Sequence, residues 1–310
     1  MLYHSLAKDG VVRTLGRRVL RLVRPYRDPR VQSGIEQLNP WQTGFCAWNA
    51  ERLGISDAES ERRYRASWEI LPGGHGGAEF RSVCKTQMDV LSVIADDSPG
   101  EVYESYTLHS WLFLLRQISQ PVPVWGDDHA VVRGVAKIPA PVIVDYGCGV
   151  AQSSISLALA LRDKGATPHL VLADIPTIRL DFVAWLCRRL NLSCETLACT
   201  REHPLPTFPP ADVAIAIEIF EHLHDPLPAL ERLDAALRPG GFILTNVDDH
   251  EPEFMHVSPN LHGLRQRMSS LGYTELGRYR LFRKGLTPAG RVLEAKDEIA
   301  EARESRAFQM

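Results

Sequence analysis

The stretch VIVDYGCG, residues 142–149, decides the fold class of this chain. Its apolar, β-branched start is typical of a buried strand, and Gly147 and Gly149 follow where that strand should end. Glycine lacks a β-carbon, so the backbone can turn sharply there and approach a ligand closely. A helix that begins near Ser153 would offer unpaired N–H groups to a carboxylate or a phosphate. The stretch therefore predicts a strand, a turn and a helix with a ligand at the turn; the alternative is a tight turn that binds nothing.

Short β-rich runs alternate with helical stretches from about residue 142 to residue 285. Strands are predicted at 142–145, 169–174, 211–217 and 241–246, and helices at 154–162, 181–190 and 226–237. Strands and helices that alternate at this spacing indicate a parallel sheet with helices on both faces. Ligands of such sheets bind at the carboxyl ends of the strands. The predicted fold class is α/β, with a Rossmann-like sheet.

The chain is predicted to divide into three regions. Apolar residues follow helical periods in residues 1–140, which are interpreted as a helical cap that binds substrate or mediates oligomerisation. Residues 141–285 hold the sheet, and residues 286–310 form a charged C-terminal helix. Within the predicted cap, the basic charge and the helical spacing of apolar residues in 8–30 predict a basic amphipathic helix. This helix either docks on the body or on a second subunit, or it binds a membrane surface or a polyanion, or it is a targeting segment.

Composition narrows the function classes. The 310 residues suffice for one large or two modest domains, and the formal net charge of −3 gives no argument for a nucleic-acid partner. No apolar run approaches the roughly 20 residues of a membrane span, and no signal-peptide pattern is visible. The six cysteines form no CxxC pair and are interpreted as reduced thiols, so a cytoplasmic location is expected.

Acidic residues end the first two predicted strands. Asp174 ends the second, where a carboxylate can accept hydrogen bonds from both hydroxyls of a ribose. The alternative for Asp174 is the N-cap of the following helix. Asp145 ends the first strand beside the glycines, and its charge would favour a cation such as an amino group or a sulfonium.

The stretch EIFEHLHDP, residues 218–226, concentrates titratable groups directly after the third of these predicted strands. Glu218, Glu221 and His222 have the i, i+3, i+4 spacing of one face of a helical turn. Carboxylates with an imidazole suggest a site for Mg²⁺, Mn²⁺, Fe²⁺, Co²⁺ or Zn²⁺, with Glu221 and His222 as catalytic residues. The alternatives are a metal-free site with His222 as general base, and purely structural hydrogen bonding with Asp225 as an N-cap.

These motifs together resemble class I S-adenosylmethionine-dependent methyltransferases. The resemblance rests on VDYGCG at 144–149, Asp174, EHL at 221–223, DP at 225–226, LRPGGFIL at 237–244 and a late helix at 261–273. It implies a seven-stranded sheet, with the last two strands near 274–277 and 278–283. It also implies that Gly147 and Gly149 pass the methionine moiety of the cofactor, that Asp145 orders its amino group and that Asp174 takes the ribose. Thr200, where the family often has an acidic residue for the adenine, and Glu218 complete the predicted cofactor-binding residues.

The ExxEH pattern of residues 218–222 resembles the metal-binding motif of two methyltransferase groups. These are the small-RNA 3′-terminal 2′-O-methyltransferases and the ubiquinone-biosynthesis O-methyltransferases. In the RNA enzymes a further histidine follows the fifth strand, and His256 matches it best, with His250 and His262 as competitors. The Phe-Glu-Trp-like sequence that usually follows that histidine is replaced here by Val-Ser-Pro-Asn. The resemblance implies a metal held by Glu218, Glu221, His222 and His256.

The sequence therefore predicts an S-adenosylmethionine-dependent methyltransferase that O-methylates a small hydroxylated metabolite, a sugar or a phenol, with a divalent cation assisting. The alternative acceptors are RNA and protein, which the basic N-terminal helix favours and the net charge disfavours. A metal-free small-molecule methyltransferase with His222 as general base is the third reading. Two other classes share this kind of sheet: a non-catalytic regulatory protein, and a NAD(P)-dependent oxidoreductase, whose GxGxxG motif would require glycine where Gln152 stands.

Overall fold

A computed structural model of the chain describes residues 38–69, 110–249, 256–277 and 280–286. The helices are α1 Pro40–Leu53, α2 Asp57–Glu69, α3 Ser110–Ile118, α4 Ala130–Val135, α5 Gln152–Arg162, α6 Ile178–Arg189, α7 Leu227–Ala236 and α8 His262–Ser270. The strands are β1 Val142–Tyr146, β2 His169–Asp174, β3 Ser193–Ala198, β4 Ala211–Ala216, β5 Leu237–Thr245, β6 Thr274–Gly277 and β7 Leu281–Arg283. The predicted basic helix at 8–30 and the C-terminal helix beyond residue 286 lie outside the described residues.

The strands form one seven-stranded sheet in the order β3-β2-β1-β4-β5-β7-β6. Strands β1 to β5 run parallel, and β7 is antiparallel to both β5 and β6. The predicted α/β class and the seven-stranded, Rossmann-like sheet are confirmed. Chain order reverses between β1 and β4, so the carboxyl ends of these two strands flank the place where such sheets bind ligands.

β5 begins earlier than predicted, and β3 is a strand that the sequence analysis did not predict. β5 begins at Leu237, four residues before the predicted start, because Leu237 already pairs with Ala211 ahead of a register shift. Pro239 and Gly240 lie within this strand. β3, at the edge of the sheet, is largely exposed and has few apolar residues, so its sequence carries little of the pattern that marks a buried strand.

Both faces of the sheet are covered, because successive side chains of a strand point to opposite faces. One core packs Ile143 and Leu170 against α5, α6 and the described N-terminal helices. The other packs Val144 and Val171 against α7 and α8. Among the described residues, no helix is both long and apolar enough to cross a membrane.

Hydrogen bonds join the N-terminal helices to the loop after β1. The indole N–H of Trp41 in α1 donates to the carbonyl oxygen of Val150 at 2.8 Å. The side-chain amide of Gln152 donates to the carbonyl oxygen of Gln117 in α3 at 3.1 Å. Asn39, which caps α1, donates to the carbonyl oxygen of Ile118 at 2.8 Å. The loop that should hold a ligand is therefore tied to α1 and α3, which belong to the predicted cap region.

Candidate active site

The loop after β1 contains two glycines with left-handed backbone. Gly147 has φ 73° and Gly149 has φ 54°. A β-carbon on Gly147 would lie 2.7 Å from Cδ1 of Ile219, and one on Gly149 would lie 2.7 Å from Nε2 of Gln117. The left-handed backbone therefore favours glycine at both positions, and at Gly147 the contacts with Ile219, which extend to its Cβ at 3.2 Å, also leave little space for a side chain. The N–H of Gly147 donates to the carbonyl oxygen of Ala173 at 2.8 Å, which ties the loop to β2.

Asp174, the predicted ribose ligand, ends β2 and helps to shape this loop. Its Oδ2 accepts from the N–H of Gly149 at 2.6 Å, and its Oδ1 accepts from the N–H of Ile175 at 2.7 Å. A guanidinium nitrogen of Arg179, a buried residue, lies 3.2 Å from the same Oδ1. Thr177, not Asp174, caps α6, because its side chain accepts from the N–H of Arg179. The carboxylate is therefore held rigidly between the glycine loop and α6.

Asp145, which is predicted to bind an amino group, is buried. It is 4% exposed, and its Oδ2 accepts from the hydroxyl of Ser154 at 2.6 Å. Burial raises the pKa of Asp145 from 3.8 to about 7, and the nearby charge of Asp174 adds to this, while the Ser154 hydrogen bond opposes it. Asp145 is not among the residues that line the adjacent cleft, so its contact with an amino group stays a prediction.

A cleft of about 650 Å³ opens at the carboxyl ends of the parallel strands. Five of the predicted site residues line it: Gly147, Asp174, Thr200, Glu218 and His222. Thr200 is half-buried beyond β3, and its side-chain oxygen accepts from the N–H of His203 at 3.1 Å. These five residues therefore border one cleft, whose volume is that of many small-molecule sites.

The turn after β4 does not form the helical face expected for Glu218, Glu221 and His222. Glu218 has φ 53°, and the short 3₁₀ turn begins two residues later, at Phe220–His222. A left-handed residue breaks the helical period, so the three side chains do not project from one helical face. Asn246, just beyond β5, donates its amide to Oε1 of Glu218 at 2.8 Å and to Oε1 of Glu221 at 3.2 Å. Both carboxylates are oriented by this one amide.

Glu221, His222 and His256 converge. Each offers one ligand-type atom, and these atoms all lie within 4.8 Å of one another. Glu221 is fully buried at 0% exposure, and the centroids of the two imidazole rings lie 5.0 Å apart. Glu218, predicted as a fourth ligand, is exposed and lies outside this group. The geometry therefore assembles three of the four predicted ligands.

The loop after β5 brings His256 to the turn. The N–H of Ser258 donates to the carbonyl oxygen of Glu221 at 3.0 Å, and the Ser258 hydroxyl donates to the carbonyl oxygen of Leu223 at 2.6 Å. Of the two competitors for His256, His250 lies outside the described residues. His262 begins α8 and is not part of the converging group.

Comparison with known proteins identifies the region that carries this geometry. Residues 127–279 match a family model described as a methyltransferase domain. This chain carries a methyltransferase domain. The match indicates that the chain is an enzyme, a methyltransferase, in agreement with the class that the motifs at 144–149 and 237–244 predict. A sequence comparison with curated proteins finds no match.

Solved structures of other methyltransferases resemble the chain at low identity. A SAM-dependent methyltransferase from Aquifex aeolicus is 18% identical over 46% of this chain and 80% of that one, with a TM-score of 0.34. A putative class I methyltransferase from Listeria monocytogenes is 13% identical over 80% and 87%, with a TM-score of 0.41. An O-methyltransferase family protein from Burkholderia thailandensis is 12% identical over 78% and 88%, with a TM-score of 0.43. These values are too low to support a conclusion about the reaction.

Sequence reasoning missed three residues of the methyltransferase site: Gln117, Arg179 and Asn246. Gln117 and Arg179 line the cleft, and Asn246 orients the two carboxylates. Asn246 ended a predicted strand, and a polar residue at the carboxyl end of a buried strand is a signal that could have found it. Nothing marks Gln117 or Arg179 in the sequence, because each lies in a helix whose apolar periodicity explains the segment without a ligand.

Proposed function

We propose that this methyltransferase O-methylates a small hydroxylated metabolite, a sugar or a phenol, and that a divalent metal bound by Glu221, His222 and His256 assists the reaction. The observation that carries the proposal is that the ligand-type atoms of these three side chains lie within 4.8 Å of one another, and that one of the three, His222, lines a ligand-sized cleft. Only His222 of the three also lines the cleft, so it marks the side from which an acceptor would approach the metal.

The cleft suits S-adenosylmethionine. Gly147 and Gly149 keep the loop free of side chains, and Asp174 and Thr200 line the walls where a ribose and an adenine are expected. The cofactor supplies a methyl group on a positively charged sulfur, which a nucleophile displaces in line. The protein must therefore hold donor and acceptor in register, and such alignment can contribute roughly 7–11 kcal/mol.

The donor set suits a divalent cation. Glu221 is fully buried, and a buried carboxylate costs free energy that a bound cation would offset. Two imidazoles and one carboxylate favour Mn²⁺, Fe²⁺, Co²⁺ or Zn²⁺ over Mg²⁺, which prefers oxygen ligands. A cation at this place supplies positive charge that lowers the pKa of a hydroxyl acceptor, as it lowers that of bound water from about 15.7 to about 7 in favourable cases. A metal site thus favours a hydroxyl or a vicinal diol as the acceptor.

A small acceptor is favoured by the shape of the site. The volume of about 650 Å³ lies within the roughly 300–1,000 Å³ of small-molecule sites. The lining of the cleft also includes Leu205, Leu223 and Pro228, which offer apolar contacts to a ring. The net charge of −3 offers no general attraction to RNA.

A metal-free enzyme with His222 as general base is the second candidate, because His222 alone of the three reaches the cleft. His256 separates the two candidates, since it belongs to the converging group but does not line the cleft. Metal assistance predicts that His256→Ala abolishes metal binding and lowers turnover about as much as His222→Ala. A general-base mechanism predicts that His256→Ala keeps most of the turnover.

The metal is tested first without any acceptor, by titrating Co²⁺ into the purified protein and following its visible absorption and the melting temperature. We expect saturable binding in the wild type, loss of binding in His256→Ala, and wild-type binding in the matched control His262→Ala. Turnover is then measured as S-adenosylhomocysteine release with sugars, phenols, RNA and protein as acceptors, with and without EDTA. Turnover that EDTA leaves intact would overturn metal assistance, and activity on RNA or protein alone would overturn the small-molecule assignment.

A further inference from the structure

Gln117, near the end of α3, lies against the glycine loop. Its Nε2 and Oε1 lie 2.7 Å and 2.9 Å from the place that a β-carbon on Gly149 would occupy. Gln117 also lines the cleft, although it lies 25 residues before the start of the first strand in the chain. The side-chain amide therefore occupies the space that glycine leaves open above the loop.

The amide oxygen of Gln117 is buried and has no hydrogen-bond partner among the described residues. Buried polar atoms in folded proteins nearly always have a partner, so an unpartnered acceptor that lines a cleft needs an explanation. A ligand that brings a hydrogen-bond donor into the cleft provides one.

Local contacts hold Gln117 in this place. The carbonyl oxygen of Gln117 accepts from the side-chain amide of Gln152, in the first turn of α5. The next residue, Ile118, is fully buried, and its carbonyl oxygen accepts from Asn39. The end of α3 is thus fixed to the glycine loop and to α1, and a preorganised acceptor loses little entropy when a ligand binds.

We propose that the Oε1 of Gln117 accepts a hydrogen bond from the ammonium group of the cofactor's methionine moiety. The glycine loop is where that moiety is expected to pass, and its ammonium is a charged donor that a carbonyl oxygen binds well. The inference rests on the proposed binding of S-adenosylmethionine in this cleft. It makes an N-terminal helix part of the cofactor site and gives Gln117 the role of a positioning residue.

Asp145 had been expected to order the same ammonium. It does not line the cleft, and its carboxylate already accepts from Ser154. With a pKa raised to about 7, it is also incompletely ionised at neutral pH. Gln117 is better placed than Asp145 for direct contact, because it lines the cleft and its acceptor atom is unpartnered.

The test compares two ligands by isothermal titration calorimetry: S-adenosylhomocysteine, and its analogue in which hydrogen replaces the amino group. Gln117→Met keeps the length of the side chain and removes the acceptor. We expect Gln117→Met to weaken S-adenosylhomocysteine by roughly 10- to 100-fold, the usual range for a lost hydrogen bond to a charged group. Affinity for the deaminated analogue should change less than about threefold.

Two further variants sharpen the test. Gln117→Glu keeps an oxygen acceptor, so it should retain the preference for the amino-bearing ligand; if the amide instead bound the ligand's carboxylate, Gln117→Glu would lose affinity for both ligands. Gln120→Met, an exposed glutamine one turn on, should behave as wild type. Equal weakening of both ligands by Gln117→Met, or of neither, overturns the role of Gln117 alone. Failure of the wild type to bind S-adenosylhomocysteine overturns the cofactor assignment and this inference with it.

Discussion

The loop after β1 and the turn after β4 lie side by side, since their strands pair in the sheet, yet they are built in opposite ways. The loop after β1 depends on the absence of side chains at Gly147 and Gly149. Side-chain atoms of Ile219 and Gln117 occupy the space next to these glycines. The turn after β4 depends on side chains, with Glu221 buried and His222 beside His256. The loop after β1 thus provides space for a cofactor, and the turn after β4 provides charge and lone pairs that can bind a metal or a proton.

This difference predicts opposite sensitivities. In the loop after β1, a substitution that adds atoms should lower the affinity for the cofactor. In the turn after β4, a substitution that changes charge but keeps the shape of the side chain should lower metal affinity and turnover. Each region can therefore be altered separately, with the other serving as its internal control.

The largest effect is expected for Glu221→Gln, which keeps the shape of a fully buried side chain and removes its charge. Loss of an anionic ligand should weaken Co²⁺ binding by about 100-fold or more, given that even residues that only orient metal ligands contribute 10- to 100-fold. Cofactor affinity, measured by calorimetry, should stay within about threefold of wild type.

Glu218→Gln is the matched control for Glu221→Gln. Glu218 is exposed and outside the converging group, so we expect its loss to change metal affinity less than about threefold. Equal losses in the two variants would place Glu218 among the ligands, as the ExxEH spacing alone had indicated.

Gly147→Ala should have the next largest effect, and it should weaken binding of the cofactor instead of the metal. The new methyl group would lie 2.7 Å from Cδ1 of Ile219, on a residue with φ 73°. Left-handed backbone costs a non-glycine residue roughly 1–2 kcal/mol, and the crowding of the cleft wall adds to it. We expect cofactor affinity to fall at least about tenfold while Co²⁺ binding persists.

Gly165→Ala controls for the backbone strain in Gly147→Ala. Gly165 has φ 89° and open space around it, so the substitution costs stability without touching the cleft. The double variant Gly147→Ala with Ile219→Ala should recover part of the affinity by relieving the crowding. If Gly165→Ala lowers cofactor affinity as much as Gly147→Ala, the loop acts through stability and not through its shape.

The two regions also differ in how well the sequence predicts them. The glycine loop was predictable because a buried apolar run, two glycines and an acidic strand end are all local patterns. The converging group was only partly predictable, because i, i+3, i+4 spacing assumes a helix and Glu218 adopts left-handed backbone instead. The amide of Asn246 donates to both Glu218 and Glu221, which lie 25 residues or more away in the chain, so local sequence does not reveal these contacts.

The contribution of the N-terminal helices was not predictable from local pattern. α3 has apolar residues at helical spacing, and these indicate packing without saying against what. Trp41 reaches Val150, and Gln152 reaches Gln117, only after the chain has formed the sheet and folded α1 and α3 against it. Contacts over more than 30 residues depend on tertiary structure, which single-sequence patterns do not encode.

The smallest expected effects come from the hydrogen bonds that fasten each region to its support. Gln152→Ala removes the bond from α5 to the end of α3, and Ser258→Ala removes the bond from the loop after β5 to Leu223. A typical hydrogen bond contributes about 1 kcal/mol net, which corresponds to about fivefold in affinity. Gln152→Ala should weaken S-adenosylhomocysteine by that amount and leave Co²⁺ unchanged, and Ser258→Ala should do the reverse. If both variants weaken the binding of S-adenosylhomocysteine and of Co²⁺ equally, the two regions form one coupled unit. The loop after β1 and the turn after β4 then do not act separately on cofactor and metal.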